Sequence, residues 1–334
     1  MSLEKDLGAD YRSPSNDFAP LFILAPNSRC GSTLLQRLFN SSREILIYGE
    51  DLYFMQSLRL SHSLHLDAKR GGCGWQEAKK GNFEFWSNDL LPDPHEYSRS
   101  AESHVNRAVR FHAKEARSLG AARWGLKLPL AEFDYYPAIR HFLPQAGIVF
   151  LVRNPLMAAA SAKARRFIND AFELERFARL WAQNVRQYLP RIQTEPAVVH
   201  LFRYEDLLHD PSRTIERLSS FSGIEQFNQN VLAKKINCPG VDAKGSSQTG
   251  YIESVPLTTT EEEVVLRCAE REMKLLGYLE SNPSRTDSAH HHDSAHHHDS
   301  AHHHGSSRSV VTHRKARLEE IADQFATALS DSEG

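Results

Sequence analysis

Hydroxyl, guanidinium and glycine residues follow an apolar run near the start of the chain, in the sequence LFILAPNSRCGSTLL from Leu21 to Leu35. The apolar run is typical of a buried strand. After the glycine, apolar residues recur with the spacing of a helix. A strand, a tight loop and a helix N-terminus direct backbone N–H groups and the positive end of the helix dipole at one anion. The pattern predicts a phosphate-binding loop without the Walker lysine. Its side-chain donors are Ser28, Arg29, Ser32 and Thr33.

Two further residues of this loop bear on anion binding. Gly31 lets the backbone approach an oxyanion closely. Cys30 stands at a helix N-terminus, so it is either a small residue that fills space or a thiol with a lowered pKa. The alternative for the whole motif is an ordinary strand, turn and helix, in which Ser32 and Thr33 only cap the helix.

A second group of polar residues lies in VRNPLMAAASAKARR, after another apolar run. Arg153 follows the predicted strand, and Pro155 stands at the preferred first position of a helix. Ser161 and Arg165 are one helical turn apart and share a face. We expect Arg153 to converge with both on a second phosphate. The alternative is a solvated basic helix face.

A third motif, FRYEDLLHDP, contains a tyrosine and two acids at a predicted strand end. Tyr204 is expected at the carboxyl end of the strand, where it either contacts a ligand or supports the structure. Glu205 and Asp206 could have a purely structural role, in which they accept hydrogen bonds from backbone N–H groups or form salt bridges with nearby arginines. Asp210 is predicted to cap a helix that begins at Pro211.

Strands and helices alternate along the chain, and this order has to position the three motifs. Because parallel crossovers produce such alternation, the sequence predicts an α/β fold, a P-loop-like three-layer sandwich with a central parallel sheet. The carboxyl ends of its strands should form one pocket. The polar insert 51–123 predicts a helical substrate cap. Predicted strands are 21–25, 45–48, 124–128, 147–152 and 197–202, and predicted helices are 101–119, 155–166, 171–192 and 211–221.

Composition excludes several classes of protein. Lysine and arginine total 40 against 42 acidic residues, so net charge gives no argument for a nucleic-acid partner. The first twenty residues lack the apolar core of about 7 to 15 residues that a signal peptide needs, and no segment reaches membrane-spanning length. The four cysteines form no CxxC pair, which favours free thiols in a reducing compartment. We therefore expect a cytoplasmic protein.

Domain organisation follows from changes in composition. Residues 1–20 read as an N-terminal arm and residues 21–280 as the folded domain. Residues 281–307 contain the hexapeptide DSAHHH three times, which predicts a disordered His-rich linker. Its nine histidines offer ligands for zinc or nickel, but a flexible repeat has no preset geometry, so we predict no metal site. Residues 308–334 predict an amphipathic helix.

The three motifs, in this order, resemble the sulfotransferase superfamily that uses 3′-phosphoadenosine 5′-phosphosulfate (PAPS). SRCGSTLL resembles the family's 5′-phosphosulfate loop, with Cys30 in place of serine. RNPLMAAAS resembles its 3′-phosphate motif through Arg153 and Ser161, and FRYEDLLHDP resembles its Arg-Tyr-Glu-Asp-Leu segment. The resemblance covers Leu21 to Tyr278 and is closest in style to the tyrosylprotein and bacterial carbohydrate or natural-product branches.

The resemblance implies further site residues. Glu50, in the Gly-Glu pair after the loop helix, is the implied general base, and sulfuryl transfer to a hydroxyl does need a proton acceptor. Lys127 in GLKLP is implied to stabilise charge on the transferring group. KGSSQTGY resembles a loop that closes over the nucleotide and offers Ser246 or Ser247 to a phosphate.

The implied activity is transfer of a sulfuryl group from PAPS to an acceptor hydroxyl by in-line displacement, with 3′,5′-ADP as product. Arg29 and Lys127 would neutralise the leaving phosphate, and neither metal nor ATP is required. The acceptor is a small-molecule, carbohydrate or peptide hydroxyl, and the oligomeric state is open. The alternatives are a P-loop small-molecule kinase, although GxxxxGK[ST] is absent, and a nonenzymatic nucleotide- or metal-binding scaffold.

Overall fold

A computed structural model describes residues 19–70, 73–84, 93–129, 135–234, 238–241, 247–250 and 252–280. All five predicted strands are present, with boundaries within two residues of those expected at each end. Each is short and apolar, as buried strands of a parallel sheet are. They are β1 (Leu21–Leu24), β2 (Ile45–Tyr48), β3 (Arg123–Leu128), β4 (Gly147–Val152) and β5 (Val199–Arg203).

Helices connect the strands, and an antiparallel hairpin lies late in the chain. The hairpin pairs β6 (Cys238–Val241) with β7 (Ser247–Gly250). The first helices are α1 (Ser32–Ser41), α2 (Leu52–Arg70), α3 (Cys73–Lys79), α4 (Pro94–Ser118) and α5 (Tyr135–Phe142). The others are α6 (Pro155–Ala164), α7 (Ala171–Thr194), α8 (Tyr204–His209), α9 (Pro211–Ser222), α10 (Asn230–Ala233) and α11 (Thr259–Leu275).

The central sheet is entirely parallel, with strand order β2-β3-β1-β4-β5 among the described residues. In the register, Leu21 of β1 lies opposite Gly125 on one side and Gly147 on the other. The chain leaves β1 for one edge of the sheet and later extends through β4 to the other edge. The carboxyl end of β1 is therefore the switch point, where open parallel sheets bind ligands.

The core lies on both faces of the sheet. Leu21 and Ile23 pack in one buried cluster, which also contains residues of α1 and α9. Phe22 and Leu24 belong to a larger cluster with residues of α4, α7 and α11. Because successive strand residues point to opposite faces, helices on both sides require continuously apolar strands. The predicted α/β sandwich with a central parallel sheet is confirmed.

Several helices differ from the sequence prediction. Helices α5, α8 and α10 were not predicted, and two further differences have a clear cause. Helix α4 begins at Pro94 rather than at residue 101, because the Asp93 side chain accepts hydrogen bonds from the first-turn N–H groups and caps it. Helix α11 was not predicted. Its N-terminus is a capping box, in which Thr258 and Glu261 bond each other's backbone N–H groups. Both errors come from end signals that hydrophobic spacing alone does not reveal.

The insert after β2 forms helices, as predicted. Helix α2 packs against α4 and α5, and we call these three helices the cap. Within the described residues, no helix is both long enough and apolar enough to cross a membrane. The predicted linker 281–307 and helix 308–334 lie outside the described residues.

Candidate active site

The residues predicted to carry chemistry lie at one edge of the sheet. Arg29 is in the loop after β1, and Glu50 follows β2. Lys127 is the last residue but one of β3, Arg153 follows β4, and Tyr204 follows β5. Because the strands are parallel, all five strand ends face the same side. The fold thus assembles a single candidate site from segments far apart in the chain.

Two buried asparagines hold the loop after β1. Asn27 donates from Nδ2 to the carbonyl oxygen of Phe177 (2.8 Å), and its Oδ1 accepts from the N–H of Ser28 (2.8 Å). Asn184 donates from Nδ2 to the carbonyl of Pro26 (2.7 Å). Both bonds to distant residues involve α7, so this helix fixes the start of the loop. The sequence analysis missed these asparagines, whose neighbours in the sequence are themselves partly polar and give no signal.

Gly31 begins α1 in a conformation that only glycine tolerates well. Its φ is +93°, and a Cβ atom there would lie 2.1 Å from Cδ2 of Tyr204. Within the described residues no side chain caps α1, so the alternative in which Ser32 and Thr33 serve as caps is wrong. Ser32 is buried and Thr33 is exposed. The N-terminus of α1 is therefore available to an anion.

The two predicted phosphate motifs contact each other directly. Arg153 donates from Nη1 to the carbonyl oxygen of Arg29 (3.0 Å), and Arg29 donates from Nε to Oγ of Ser161 (3.3 Å). The Arg153 guanidinium carbon lies 4.6 Å from the centre of the Tyr204 ring, within range of a cation–π contact. Trp181 donates a hydrogen bond from its indole Nε1 to the carbonyl oxygen of Arg153 (3.1 Å). The arginines form one cationic surface rather than two separate patches.

Three other predicted ligand residues are not tied to this surface by described contacts. Helix α6 ends at Ala164, and Arg165 is its C-cap, with a buried Nε that has no hydrogen-bond partner among the described residues. Ser246 lies outside the described residues, and Ser247 is described only as the first residue of β7. Their contacts with a nucleotide stay predictions.

Cys30 is fully buried inside the loop. Burial raises the pKa of its thiol to about 12, because desolvation outweighs the charge of Arg153, which acts in the opposite direction. The expectation of a lowered pKa is therefore wrong, and the other interpretation, a small residue that fills space, agrees with the structure. The helix dipole does not activate a thiol that water cannot reach.

Glu50 and Lys127 form an ion pair between neighbouring strand ends. Nζ of Lys127 donates to Oε1 of Glu50 at 2.6 Å. The lysine side chain is only 9% exposed, whereas the glutamate side chain is 47% exposed. A buried ammonium group needs a partner, and this carboxylate supplies it while keeping one side open to solvent. The pair thus combines a fixed cation with an accessible acceptor of protons.

A cleft of about 390 Å³ opens beside Glu50. Its floor is rigid: Asp51 accepts from the N–H of Phe54 (2.9 Å) and contacts Nε2 of His112 (3.0 Å), and the His112 ring stacks on Trp124. The sequence analysis missed His112, which is 61 residues from Asp51. A cleft of about 490 Å³ beside α9 contains none of the predicted site residues. The lining of the cleft at Glu50 includes Tyr48, Glu50, Asp51, Phe111, His112 and Glu115.

Glu205 joins the loop after β4 to the end of the folded region. One carboxylate oxygen accepts from the N–H of Asn154 (2.9 Å), and the other accepts from the hydroxyl of Tyr278 (3.0 Å). Burial and the nearby Glu205 charge raise the pKa of Tyr278 above its ordinary value. The Arg203 guanidinium lies over the Tyr278 ring at 4.4 Å. Glu205 therefore has a structural role, in which it accepts a hydrogen bond from a backbone N–H group, as one interpretation of the sequence proposed.

The sequence matches one protein-family model, described as the sulfotransferase family, over residues 20–229. This match spans more than half of the chain and includes the loop after β1, Glu50, Lys127 and the Arg153 motif. A search of curated protein sequences finds no match.

Several solved structures are similar to the chain at low sequence identity. The sulfotransferase domain of the curacin biosynthetic pathway is 16% identical, with 75% of this chain and 97% of that one covered and a TM-score of 0.43. A Mycobacterium avium sulfotransferase is 13% identical, with coverages of 79% and 77% and a TM-score of 0.42. The sulfotransferase domain of the Synechococcus PCC 7002 olefin synthase is 17% identical, with coverages of 67% and 80% and a TM-score of 0.37.

Proposed function

Because the chain belongs to the sulfotransferase family, we propose that it transfers a sulfuryl group from PAPS to an acceptor hydroxyl and releases 3′,5′-ADP. One observation carries the proposal beyond the family: the Glu50–Lys127 ion pair lies at the same sheet edge as the Arg29–Arg153 surface. A proton acceptor and a set of fixed cations are what sulfuryl transfer to a hydroxyl requires.

The residues after β1 and β4 fit a nucleotide with phosphate groups at two positions. Helix α1 has no acidic residue in its first turn, so the turn itself does not oppose the favourable helix dipole at an anion. Arg29 and Arg153 supply two guanidinium groups, and Ser161 holds Arg29 in place. We assign the 5′-phosphosulfate to the α1 loop, with Ser28, Arg29, Ser32 and Thr33 as donors, and the 3′-phosphate to Arg153, Ser161 and Arg165.

Glu50 is the proposed general base. In the reaction, the acceptor oxygen forms a bond to sulfur, the bond between sulfur and the 5′-phosphate oxygen breaks, and the acceptor proton moves to Glu50. The exposed side of the carboxylate borders the cleft of about 390 Å³, where we place the acceptor. PAPS supplies the sulfuryl group when bound, and no redox step is needed.

Lys127 has two proposed tasks. Its ammonium group keeps the Glu50 carboxylate oriented toward the cleft through their 2.6 Å contact. Because Lys127 is buried, its positive charge is already in place for the transferring sulfuryl group and the leaving phosphate. Water therefore does not have to reorganise around the charge during the reaction. Arg29 neutralises the same leaving phosphate from the other side.

We also propose a cytoplasmic location and an acceptor from the small-molecule, carbohydrate or peptide hydroxyl classes. Among the described residues, Cys30 and Cys268 are free thiols, which supports a reducing compartment. The acceptor cleft combines the aromatic rings of Tyr48 and Phe111 with carboxylates, so it suits a hydroxyl compound with an apolar portion better than an anion.

The proposal is tested by transfer of radiolabelled sulfuryl from PAPS to pooled carbohydrates, phenols, lipids and peptides. The wild-type protein should label at least one pool and should bind 3′,5′-ADP. Arg29→Ala should lose both properties, and Arg176→Ala, which removes an exposed arginine of α7, should keep them. Absence of transfer to every pool together with no binding of 3′,5′-ADP would contradict the proposal. Phosphoryl transfer from ATP with magnesium would favour the kinase alternative.

A further inference from the structure

Three metal-ligating side chains meet in the cap, outside the proposed active site. His65 lies on α2, Glu102 on α4 and His141 on α5. One ligand atom of each residue lies within 4.8 Å of those of the other two. We propose that these residues bind one zinc-class divalent metal ion that stabilises the cap. The proposal goes beyond sulfuryl transfer and does not depend on it.

The distances suit a small transition-metal ion. Oε1 of Glu102 lies 3.9 Å from Nδ1 of His65 and 3.7 Å from Nε2 of His141. Ligand atoms around tetrahedral zinc are separated by roughly 3.3 to 3.5 Å, given bonds of about 2.0 to 2.1 Å. A contraction of a few tenths of an ångström brings each Glu102 distance into this range, and the two histidine nitrogens, within 4.8 Å of each other, approach as the ion binds. The side chains are 20%, 33% and 28% exposed in the order His65, Glu102, His141, so they have room for this movement.

The two ring nitrogens of His65 are poorly satisfied by hydrogen bonds, as expected of a side chain that can bind a metal. Its Nε2 is buried and has no hydrogen-bond partner among the described residues. Its Nδ1 has only a long contact of 3.4 Å with the hydroxyl of Ser98. Nδ1 is the ring nitrogen that lies 3.9 Å from Glu102, so a metal bond there would replace the long Ser98 contact and leave Nε2 to bond water.

The neighbouring rings bring two imidazoles close to one carboxylate. The His65 and His141 ring centres are 4.2 Å apart, so all three side chains lie within reach of one ion. Metal binding needs both imidazoles neutral and adds one ion shared by all three groups. The donor set of two nitrogens and one oxygen selects zinc or a similar transition metal over magnesium or calcium.

Three protein ligands leave one coordination position open for water or a fourth side chain. His62 lies one helical turn before His65, with its ring centre 5.4 Å from that of His141. An ion here would join three helices that are far apart in sequence. Helix α2 begins immediately after the segment that carries Glu50, so the site would stabilise the cap without contacting the reacting groups.

The test is thermal unfolding of the full-length protein after removal of metal with a chelator, with and without added ZnCl₂. Zinc at a hundredfold excess over its dissociation constant should raise the wild-type Tm by roughly 5 to 10 °C, because it binds the folded state. Glu102→Gln and His141→Ala should lose this rise. His104→Ala, which removes an exposed histidine of the same helix α4, should keep it.

All variants retain the nine histidines of the DSAHHH repeats, so metal bound there is common to every sample. Bound zinc, measured by mass spectrometry after dialysis, should fall by one equivalent in Glu102→Gln and His141→Ala. Without zinc, the Tm of His141→Ala should stay close to that of the wild type, which shows that the exposed residue is dispensable for folding. An equal Tm rise in the wild type and both variants, or no rise in the wild type, would overturn the proposal.

Discussion

The loops after β1, β4 and β5, which we call the nucleotide side because we propose that PAPS binds there, are built differently from the cap. On the nucleotide side, Asn27, Asn184 and Glu205 bond the backbone of distant loops, and Gly31 packs against a ring. In the cap, polar side chains pair with one another across helices, as Glu102 of α4 does with His65 of α2 and His141 of α5. Side chain to backbone bonds fix loop geometry, whereas pairs of side chains leave each helix adjustable. We infer that the donor site is rigid and that acceptor selection resides in the adjustable half.

The largest expected effect is on kcat when Glu50 is substituted, because this change removes the proposed base without touching the nucleotide side. Glu50→Gln removes the proposed base but keeps the size of the side chain, so kcat should fall about 100- to 10,000-fold, the usual contribution of general base catalysis. The KM for PAPS should change little, because the nucleotide side is untouched. Steady-state kinetics with both substrates varied provides the measurement, with Glu263→Gln on the exposed face of α11 as control. A kcat close to the wild-type value would remove Glu50 from the mechanism.

A matched pair of glycines compares the rigidity of the two halves. Gly31→Ala forces a Cβ atom into the Tyr204 ring at a positive φ, and it should lower the free energy of unfolding by about 2 to 4 kcal/mol. Gly49→Ala, at the end of β2, has no atom within 4 Å of the new Cβ and should be nearly neutral. Urea unfolding of both variants measures the difference. Equal losses would contradict the comparison.

The cationic surface should have an intermediate effect. Arg153→Ala removes a guanidinium group that donates to the Arg29 carbonyl and packs on Tyr204. Binding of 3′,5′-ADP should weaken about 10- to 100-fold, the usual range for a lost charged hydrogen bond. Titration calorimetry measures it. If Arg153→Lys restores most of the affinity, the loss is one of charge alone, and the planar guanidinium contributes less than the geometry indicates.

The smallest expected effect is alkaline destabilisation through Cys30. The folded-state pKa is about 12 and the ordinary value is 9.0, so the unfolded thiol loses its proton first as pH rises. This contribution is fully present below pH 9 and decreases above it, by about 1.4 kcal/mol at pH 10. The loss of stability between pH 7 and pH 10 should therefore be smaller in Cys30→Ser. Cys268→Ser, at a partly exposed position, should behave as the wild type does.

The sequence predicts the nucleotide side better than the cap, for a physical reason. Strand hydrophobicity, Gly31, and the spacing of Arg153 and Ser161 are local signals, and a parallel sheet brings all strand ends to one edge. The contact between Arg29 and Ser161 spans 132 residues, yet the sheet topology places the segments that carry them side by side, after β1 and β4. The sequence analysis did not anticipate that Arg153 bonds the Arg29 backbone, because that depends on loop conformation.

No comparable rule predicts from the sequence which side chains of the cap lie close together. His112 and Asp51, or His65 and His141, meet only because α2, α4 and α5 pack in a particular order. Each of these residues, read alone, is an ordinary polar side chain on an amphipathic helix. The two interpretations of Cys30 could not be separated for a different reason: the pKa of its thiol depends on complete burial, which a helix N-terminus in the sequence does not reveal. Long-range packing and desolvation are therefore the two properties that sequence patterns did not provide.

The two bonds of Glu205 have a consequence for protein synthesis. The family match ends at residue 229, but the loop after β4 is fully braced only when Tyr278 reaches the second oxygen of Glu205. Helix α11 also supplies Glu272, a buried partner for Arg186 of α7. A nascent chain that has emerged only to residue 229 thus contains the Arg29 and Arg153 motifs and still lacks this brace. The donor site should mature only after about fifty further residues have left the ribosome, at rates of about 5 to 20 residues per second.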